Sequence, residues 1–324
     1  MMNDSVILEV RDIKKYFPYR TAWFAGTRSF VYAVDGVSFS LKRGEVLGIV
    51  GESGCGKSTL ARVILRLIEP TSGDIFFEGQ NISKINKKNM VSLRKQMQLI
   101  FQDPYASLNP KLPVRYLVGE GLLVHKLCDP KEIEERVAAV LEKVGIKPDQ
   151  MNRFPHEFSG GQRQRIAVAR ALVLMPKLII GDEPVSALDV SIQAQIINLL
   201  QSLQKEFNLS FIIISHNLNV VKHVSDQVAV MYLGRIIEKA PHQELYLNPL
   251  HPYTQALLSA IPTPRTKGVK NRIILEGDVP SPMEPPPGCS FHTRCTLAGE
   301  KCSEISPDLR DVGHDHFVAC HHVV

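Results

Sequence analysis

The sequence predicts an α/β fold built on parallel strands. Three observations lead there. Strand and helix patterns alternate through the middle of the chain, the strand-like runs are short and apolar, and a glycine-rich turn joins one of them directly to a helix pattern.

"VILEV" (Val6–Val10) and "GVSFSL" (Gly36–Leu41) alternate apolar with polar residues, as a half-exposed antiparallel sheet does, with Phe39 and Leu41 facing inward. "EVLGIVG" (Glu45–Gly51) reads as a buried strand. "STLARVILRLI" (Ser58–Ile68) has helical spacing and stops before Pro70. "MQLIF", "KLIIGD" and "SFIIIS" are further strands. In "SIQAQIINLLQSLQKEF" the residues Ile192, Ile196, Leu199, Leu203 and Phe207 form one apolar helix face. "QVAVMYLGRIIEKA" reads as a hairpin turning near Gly234. From about Pro262 the character changes to prolines, then cysteines and histidines, so a boundary is placed there: 1–262 and 263–324.

The bulk numbers narrow the function classes. The 324 residues are 44% apolar and 22% charged, with a net charge of +5, which suits a globular protein and is only mildly basic. Clusters such as "KINKK" (Lys84–Lys88) read as solvated faces, and no nucleic-acid partner is expected. No apolar run approaches the roughly 18 residues of a membrane span, and the start has no signal-type pattern, so a cytoplasmic chain is expected. In that reducing setting, metal or cluster ligation by the cysteines is favoured over disulfides.

"GESGCGKST" (Gly51, Glu52, Ser53, Gly54, Cys55, Gly56, Lys57, Ser58, Thr59) matches the P-loop pattern G-x-x-x-x-G-K-S. Its glycines let backbone N–H groups close around phosphates, and the following helix points its positive end at them. Lys57 then reaches the β- and γ-phosphates of a nucleotide such as ATP, and the Ser58 hydroxyl ligates Mg²⁺. The helix N-terminus is also expected to favour a thiolate at Cys55. In "LIIGDEP" (Leu178–Pro184), Asp182 at a strand end would contact the Mg²⁺, directly or through water, and Glu183 beside it can serve as general base for the attacking water. "FSGGQRQRIAVARAL" (Phe158–Leu172) is a second phosphate-binding design, a serine and two glycines opening a helix. One nucleotide cannot easily use both helix ends of one subunit. Two subunits facing head to tail can sandwich it.

With these motifs the sequence resembles the ATP-binding subunits of ABC transporters, whose signature is L-S-G-G-Q. Here Phe158 stands for the leucine, and Ser159, Gly160, Gly161 and Gln162 follow. The resemblance covers about Val6 to Ile261. It implies a P-loop ABC-type ATPase: a RecA-like core, an antiparallel β subdomain, and a helical signature subdomain at about 103–172. It also implies roles for single residues. Gln102 senses Mg²⁺ and the attacking water, His216 contacts the γ-phosphate, and Ser186–Asp189 couples the two sites of a dimer. Phe17 stacks on adenine, with Tyr16 as the alternative.

"HPYTQALLSAIP" (His251–Pro262) and "GDVPSPMEPPPGCSFHTRC" look like the tail of oligopeptide/dipeptide importer ATPases. That likeness implies a motor peripheral to the cytoplasmic face of the inner membrane. Its partners would be two membrane-spanning permease subunits and a paralogous ATPase or a second copy, with an extracytoplasmic solute-binding protein acting indirectly. "QDPYASLNP" (Gln102–Pro110) would open the face toward a permease subunit. Import of nickel or oligosaccharides, or a soluble regulatory or repair ATPase, stay open as alternatives.

Cys289, Cys295, Cys302 and Cys320 make a small Cys-rich C-terminal extension with spacing C-x5-C-x6-C-x17-C. Four thiolates suit Zn²⁺ or a [4Fe–4S] cluster. The family likeness favours the cluster. His292, His314, His316, His321 and His322 keep a mixed zinc site open. Because the tail is proline-rich with little apolar periodicity, it is expected to bury little without such a group.

Overall fold

A computed structural model describes residues 6–19, 29–103, 107–261 and 272–323. Paired strands β1 (Val6–Tyr19) and β2 (Ser29–Lys42) lead into β3 (Val46–Val50), α1 (Lys57–Ile64), β4 (Ser72–Phe77) and β5 (Gln80–Asn81). Next come α2 (Lys87–Arg94), β6 (Met97–Ile100), and three helices: α3 (Val114–Val124), α4 (Pro130–Lys143) and α5 (Gly160–Leu172). Strand β7 (Leu178–Asp182), α6 (Val190–Phe207), β8 (Ser210–Ser215) and α7 (Leu218–Val224) precede the hairpin β9 (Gln227–Tyr232) and β10 (Arg235–Pro241). The chain closes with α8 (His242–Leu247), α9 (Pro252–Ser259), α10 (Glu300–Glu304), β11 (Arg310–Asp311) and β12 (Phe317–Val318). No helix among the described residues is long and apolar enough to cross a membrane.

These residues fall into two compact units, one drawn from 42–46 and 84–214, the other from 6–41, 47–83 and 215–323. In the first unit β6, β7 and β8 are parallel, with Leu99 opposite Ile180 and Ile180 opposite Ile212. Every residue of β7 is buried, which is why the run is apolar up to Asp182. Helices α3, α4 and α5 pack on one another, and Leu117, Val118, Val137, Leu141 and Ile166 on them are buried. On α6 the buried stripe is Ile196, Leu200 and Leu203. Leu199 and Ile192, expected on that stripe, are only half-buried at its flank. At about 3.6 residues per turn, Leu199 and Leu200 flank the line through Ile196 and Leu203 equally, about 50° to either side, so packing and not spacing selects Leu200.

The second unit holds the antiparallel sheet β2-β1-β4-β5, with Leu8 opposite Phe77 and Val10 opposite Ile75. Val37, Phe39 and Leu41 point inward while Ser38 and Ser40 are exposed, as the alternation predicts. The hairpin turns through Leu233 and Gly234, both left-handed at φ 42° and 81°, a two-residue turn whose twist suits paired strands. Strand β3 runs parallel to β9.

The tail belongs to this unit by ordinary packing, contrary to the expectation that it buries little. Strand β12 pairs antiparallel with β10, Glu238 opposite Val318. Phe291 is 1% exposed and sits edge-on to Tyr232 and tilted against Tyr253, each ring centre 5.3 Å away. Burying one such ring contributes about 1.5–3 kcal/mol. A single anchor of this kind leaves no periodic trace in a sequence.

Candidate functional site

In the second unit the glycine-rich loop links β3 to α1. Gly56 takes φ 103° just ahead of the helix, and a Cβ there would lie 2.0 Å from the Ala33 carbonyl oxygen, so only glycine fits. No side chain caps α1, and its first-turn N–H groups are the kind that bind anions. The Lys57 ammonium is buried and donates to the Gly51 and Glu52 carbonyl oxygens at 2.8 Å each, closing the loop on itself. Ser58 and Thr59 follow, both half-buried, while Ser53 and Gly54 are exposed.

Cys55 departs from expectation. Its thiol is 3% exposed, and burial pushes its pKa up, outweighing the nearby Lys57 charge that pulls it down. Desolvation of the thiolate wins over the Lys57 ammonium, which disfavours the thiolate at neutral pH.

Glu52 is held on every side. Its N–H donates to the Tyr253 hydroxyl at 3.0 Å. Its carboxylate accepts both arms of the Arg294 guanidinium, at 2.8 and 3.2 Å. Arg294 stands between Cys289 and Cys295 in sequence, and nothing in the local pattern marked it. Elsewhere in this unit, Tyr16 donates to the Asp35 carboxylate at 2.5 Å and stacks edge-on to Tyr32. Phe17 is half-buried, with the Lys15 ammonium 4.9 Å from its ring centre. Tyr16 is thus engaged through both its hydroxyl and its ring. His216 is exposed one residue past β8.

In the first unit Asp182 ends β7 at 5% exposure. Glu183 follows in a left-handed conformation, φ 49°, its N–H bonded to the Ile214 carbonyl oxygen at 2.9 Å. Strain of this kind in a non-glycine residue persists only where its surroundings impose it. The Gln102 amide donates to the Glu183 carboxylate at 2.9 Å, so the two residues expected at the water-activating step touch. Ser186 bonds back to the Glu183 carbonyl oxygen through its N–H and its hydroxyl.

Ser159 caps α5. Its hydroxyl accepts the Gln162 N–H at 3.4 Å, and the Gln162 side chain accepts the Ser159 N–H at 3.0 Å, a reciprocal box. A Cβ on Gly161 would lie 2.6 Å from Ile192 Cγ2, so the glycine lets α6 pack close under the signature turn. Of the segment Gln102–Pro110, residues 104–106 lie outside the described residues.

The tail cysteines gather in the second unit, none in a disulfide. Burial raises the Cys289 thiol pKa, and the nearby thiols of Cys302, Cys320 and Cys295 raise it further. Cys295 is raised likewise, by burial first and then by Cys320 and Cys302. Among the described residues, no three His, Cys, Asp or Glu side chains close into the geometry of one metal centre. Three of the tail histidines bond elsewhere. His316 Nε2 pairs with the buried Glu238 carboxylate at 2.8 Å, His292 Nδ1 with the Cys289 carbonyl oxygen and His321 Nε2 with that of Ile305. His322 Nε2 lies 3.6 Å from the Cys302 sulfur, and His314 is an exposed turn residue with φ 56°.

Comparison with known proteins fits this geometry. Residues 34–186 match the ABC transporter family, and residues 237–302 match the oligopeptide/dipeptide transporter C-terminal region. The oligopeptide transport ATP-binding protein AppF of Bacillus subtilis is 56% identical over 322 residues, 98% of each chain. The Escherichia coli oligopeptide transport ATP-binding protein OppF is 51% identical over 97% of this chain and 96% of its own. Among solved structures, the dimeric post-hydrolysis ATP-binding cassette MJ0796 with ADP and Pi superposes with a TM-score of 0.65 at 25% identity, over 72% of this chain and 98% of that one. Clostridium perfringens cbiO1, part of the cbiONQ transporter complex, gives 0.65 at 33% identity, over 75% and 91%.

Proposed function

Because this chain belongs to the ATP-binding proteins of oligopeptide-type ABC transporters, we propose that it is the ATP-hydrolysing motor of an oligopeptide importer. The observation that carries this reading is the joining, in one chain, of an ABC cassette to the oligopeptide-transporter C-terminal region. Nickel and oligosaccharide import, and a soluble regulatory or repair role, find no such support.

The residue roles in this reading combine the local chemistry with the family likeness. Gly51–Thr59 cradles the phosphates, Lys57 exchanges its two carbonyl contacts for phosphate oxygens, and Phe17 takes the adenine. Asp182, the Ser58 hydroxyl and Gln102 each carry an oxygen donor of the type that would hold Mg²⁺. Mg²⁺ supplies charge neutralisation on the phosphate oxygens. Glu183, fixed by Gln102, accepts a proton as the water oxygen bonds to the γ-phosphorus. The bond from that phosphorus to the bridging oxygen breaks, and the electron pair leaves with ADP. His216 steadies the γ-phosphate. Ser159–Gln162 serves the nucleotide of a second ATPase subunit, a paralogue or another copy, in a head-to-tail pair. Two permease subunits would hold that pair peripherally at the cytoplasmic face of the inner membrane, with an extracytoplasmic binding protein delivering the peptide.

Residues 1–262 form the ATPase in this reading, and 263–324 the extension. Its four free thiols are the donors a [4Fe–4S] group takes, and those of Cys295, Cys302 and Cys320 each act on the Cys289 thiol, while no three described side chains close into one metal centre without the group. The group would supply a structural cross-link. Iron and sulfide analysis after anaerobic purification tests this, with about four of each per chain expected and one zinc without sulfide contradicting it. The importer reading is tested by reconstituting the chain with its permease subunits. Peptide-loaded binding protein should stimulate ATPase activity, and stimulation by nickel- or oligosaccharide-loaded protein instead would overturn the cargo assignment.

A further inference from the structure

The P-loop carries a carboxylate, Glu52, in a segment that must accept a polyanion. Its side chain is 28% exposed, so water screens it only in part. The Arg294 guanidinium, 7% exposed, meets it two-pronged at 2.8 and 3.2 Å. Arg294 lies 6.0 Å over the Tyr232 ring. Tyr232 packs against Tyr253 at 4.8 Å, and Tyr253 holds the Glu52 N–H. The tail and α9 thus reach the loop through one residue, by its charge and by its backbone. The pairing costs little entropy to maintain, since the packing of Phe291, three residues before Arg294, already fixes the segment.

We propose that Arg294 is a positioning residue of the nucleotide site: it neutralises and holds Glu52, so the C-terminal extension is part of what makes the loop receptive to a nucleotide triphosphate. Without the guanidinium, Glu52 repels the incoming phosphates and is free to turn toward the loop N–H groups that should bind them. The effect grows with ligand charge, so ATP should suffer more than ADP. This rests on Gly51–Thr59 being the nucleotide loop.

The test is equilibrium binding of ATP and ADP to the full chain, wild type beside Arg294→Gln, Arg294→Lys and the double variant Glu52→Gln/Arg294→Gln. Thermal unfolding without nucleotide confirms that each is folded at the binding temperature. Arg294→Gln should weaken ATP binding about tenfold, within the usual coupling of contacting residues, and ADP binding less. Arg294→Lys, which keeps the charge but loses the fork, should fall between it and wild type. Removing both charges should bring ATP affinity back toward wild type, a recovery that a merely structural arginine would not give. Should Arg294→Gln fail to fold, Arg294→Lys with and without Glu52→Gln completes the same cycle. Wild-type ATP affinity in Arg294→Gln, or a double variant binding no more tightly than the single one, would overturn the proposal. Failure of the wild-type chain to bind ATP would instead refute the loop assignment itself.

Discussion

His251 offers a prediction whose size can be worked out. It is 1% exposed and caps α9, its Nδ1 accepting the Tyr253 N–H at 3.1 Å. An acceptor at Nδ1 requires the unprotonated ring there, with the hydrogen on Nε2. Burial pulls the His251 pKa down to about 4, against a weaker opposing pull from the Glu238 carboxylate. The unfolded chain, with an ordinary value near 6.5, therefore takes up this proton first as pH falls. Stability from His251 is fully present above about pH 6.5 and is lost as pH falls toward about 4. Integrated from pH 7 to pH 5, the loss is about 2 kcal/mol. The assay is urea unfolding of wild type and His251→Asn at both pH values. Asparagine keeps an oxygen that can cap the helix but does not titrate. Wild type should lose about 2 kcal/mol more than the variant between the two conditions. Equal losses would show that His251 is already charged in the folded state, and the capping geometry would be refuted.

Other perturbations have equally definite outcomes. Phe291→Ala should destabilise the second unit by about 3–5 kcal/mol in urea unfolding, because its ring fills the space between Tyr232 and Tyr253. Lys57→Ala should abolish measurable ATP binding in equilibrium titration, since the loop loses its cation. Gly56→Ala should impair ATP binding too, as the new methyl meets the Ala33 carbonyl. Cys55 should react only slowly with a thiol reagent at pH 7, monitored by mass spectrometry, because its buried thiol stays protonated.

How much of this was legible in the sequence depends on how local each cause is. The strand, glycine loop and helix around Lys57 could be read because the residues that make them are adjacent, and β7 because burial forces an apolar run up to Asp182. The stripe on α6 was read one residue off, since Leu199 and Leu200 are both apolar and only the packing chooses between them. For Cys55 the helix terminus is visible in sequence, whereas the burial that raises its pKa is not. Arg294 could not have been found, its partner being 242 residues away. The tail strands β11 and β12 are two residues each, too short for alternation to show. Phe291 looked like one aromatic among cysteines and histidines, although it is the residue that seats the extension.

In the proposed function, this chain's hydrolysis of ATP, with Glu183 as the base, drives oligopeptide uptake. The most direct measurement is uptake of a labelled oligopeptide by proteoliposomes holding the assembled importer, with wild-type chain or Glu183→Gln, alongside ATP binding to each. Uptake should fall to background with Glu183→Gln while ATP binding is retained. Uptake at the wild-type rate with Glu183→Gln would contradict the account.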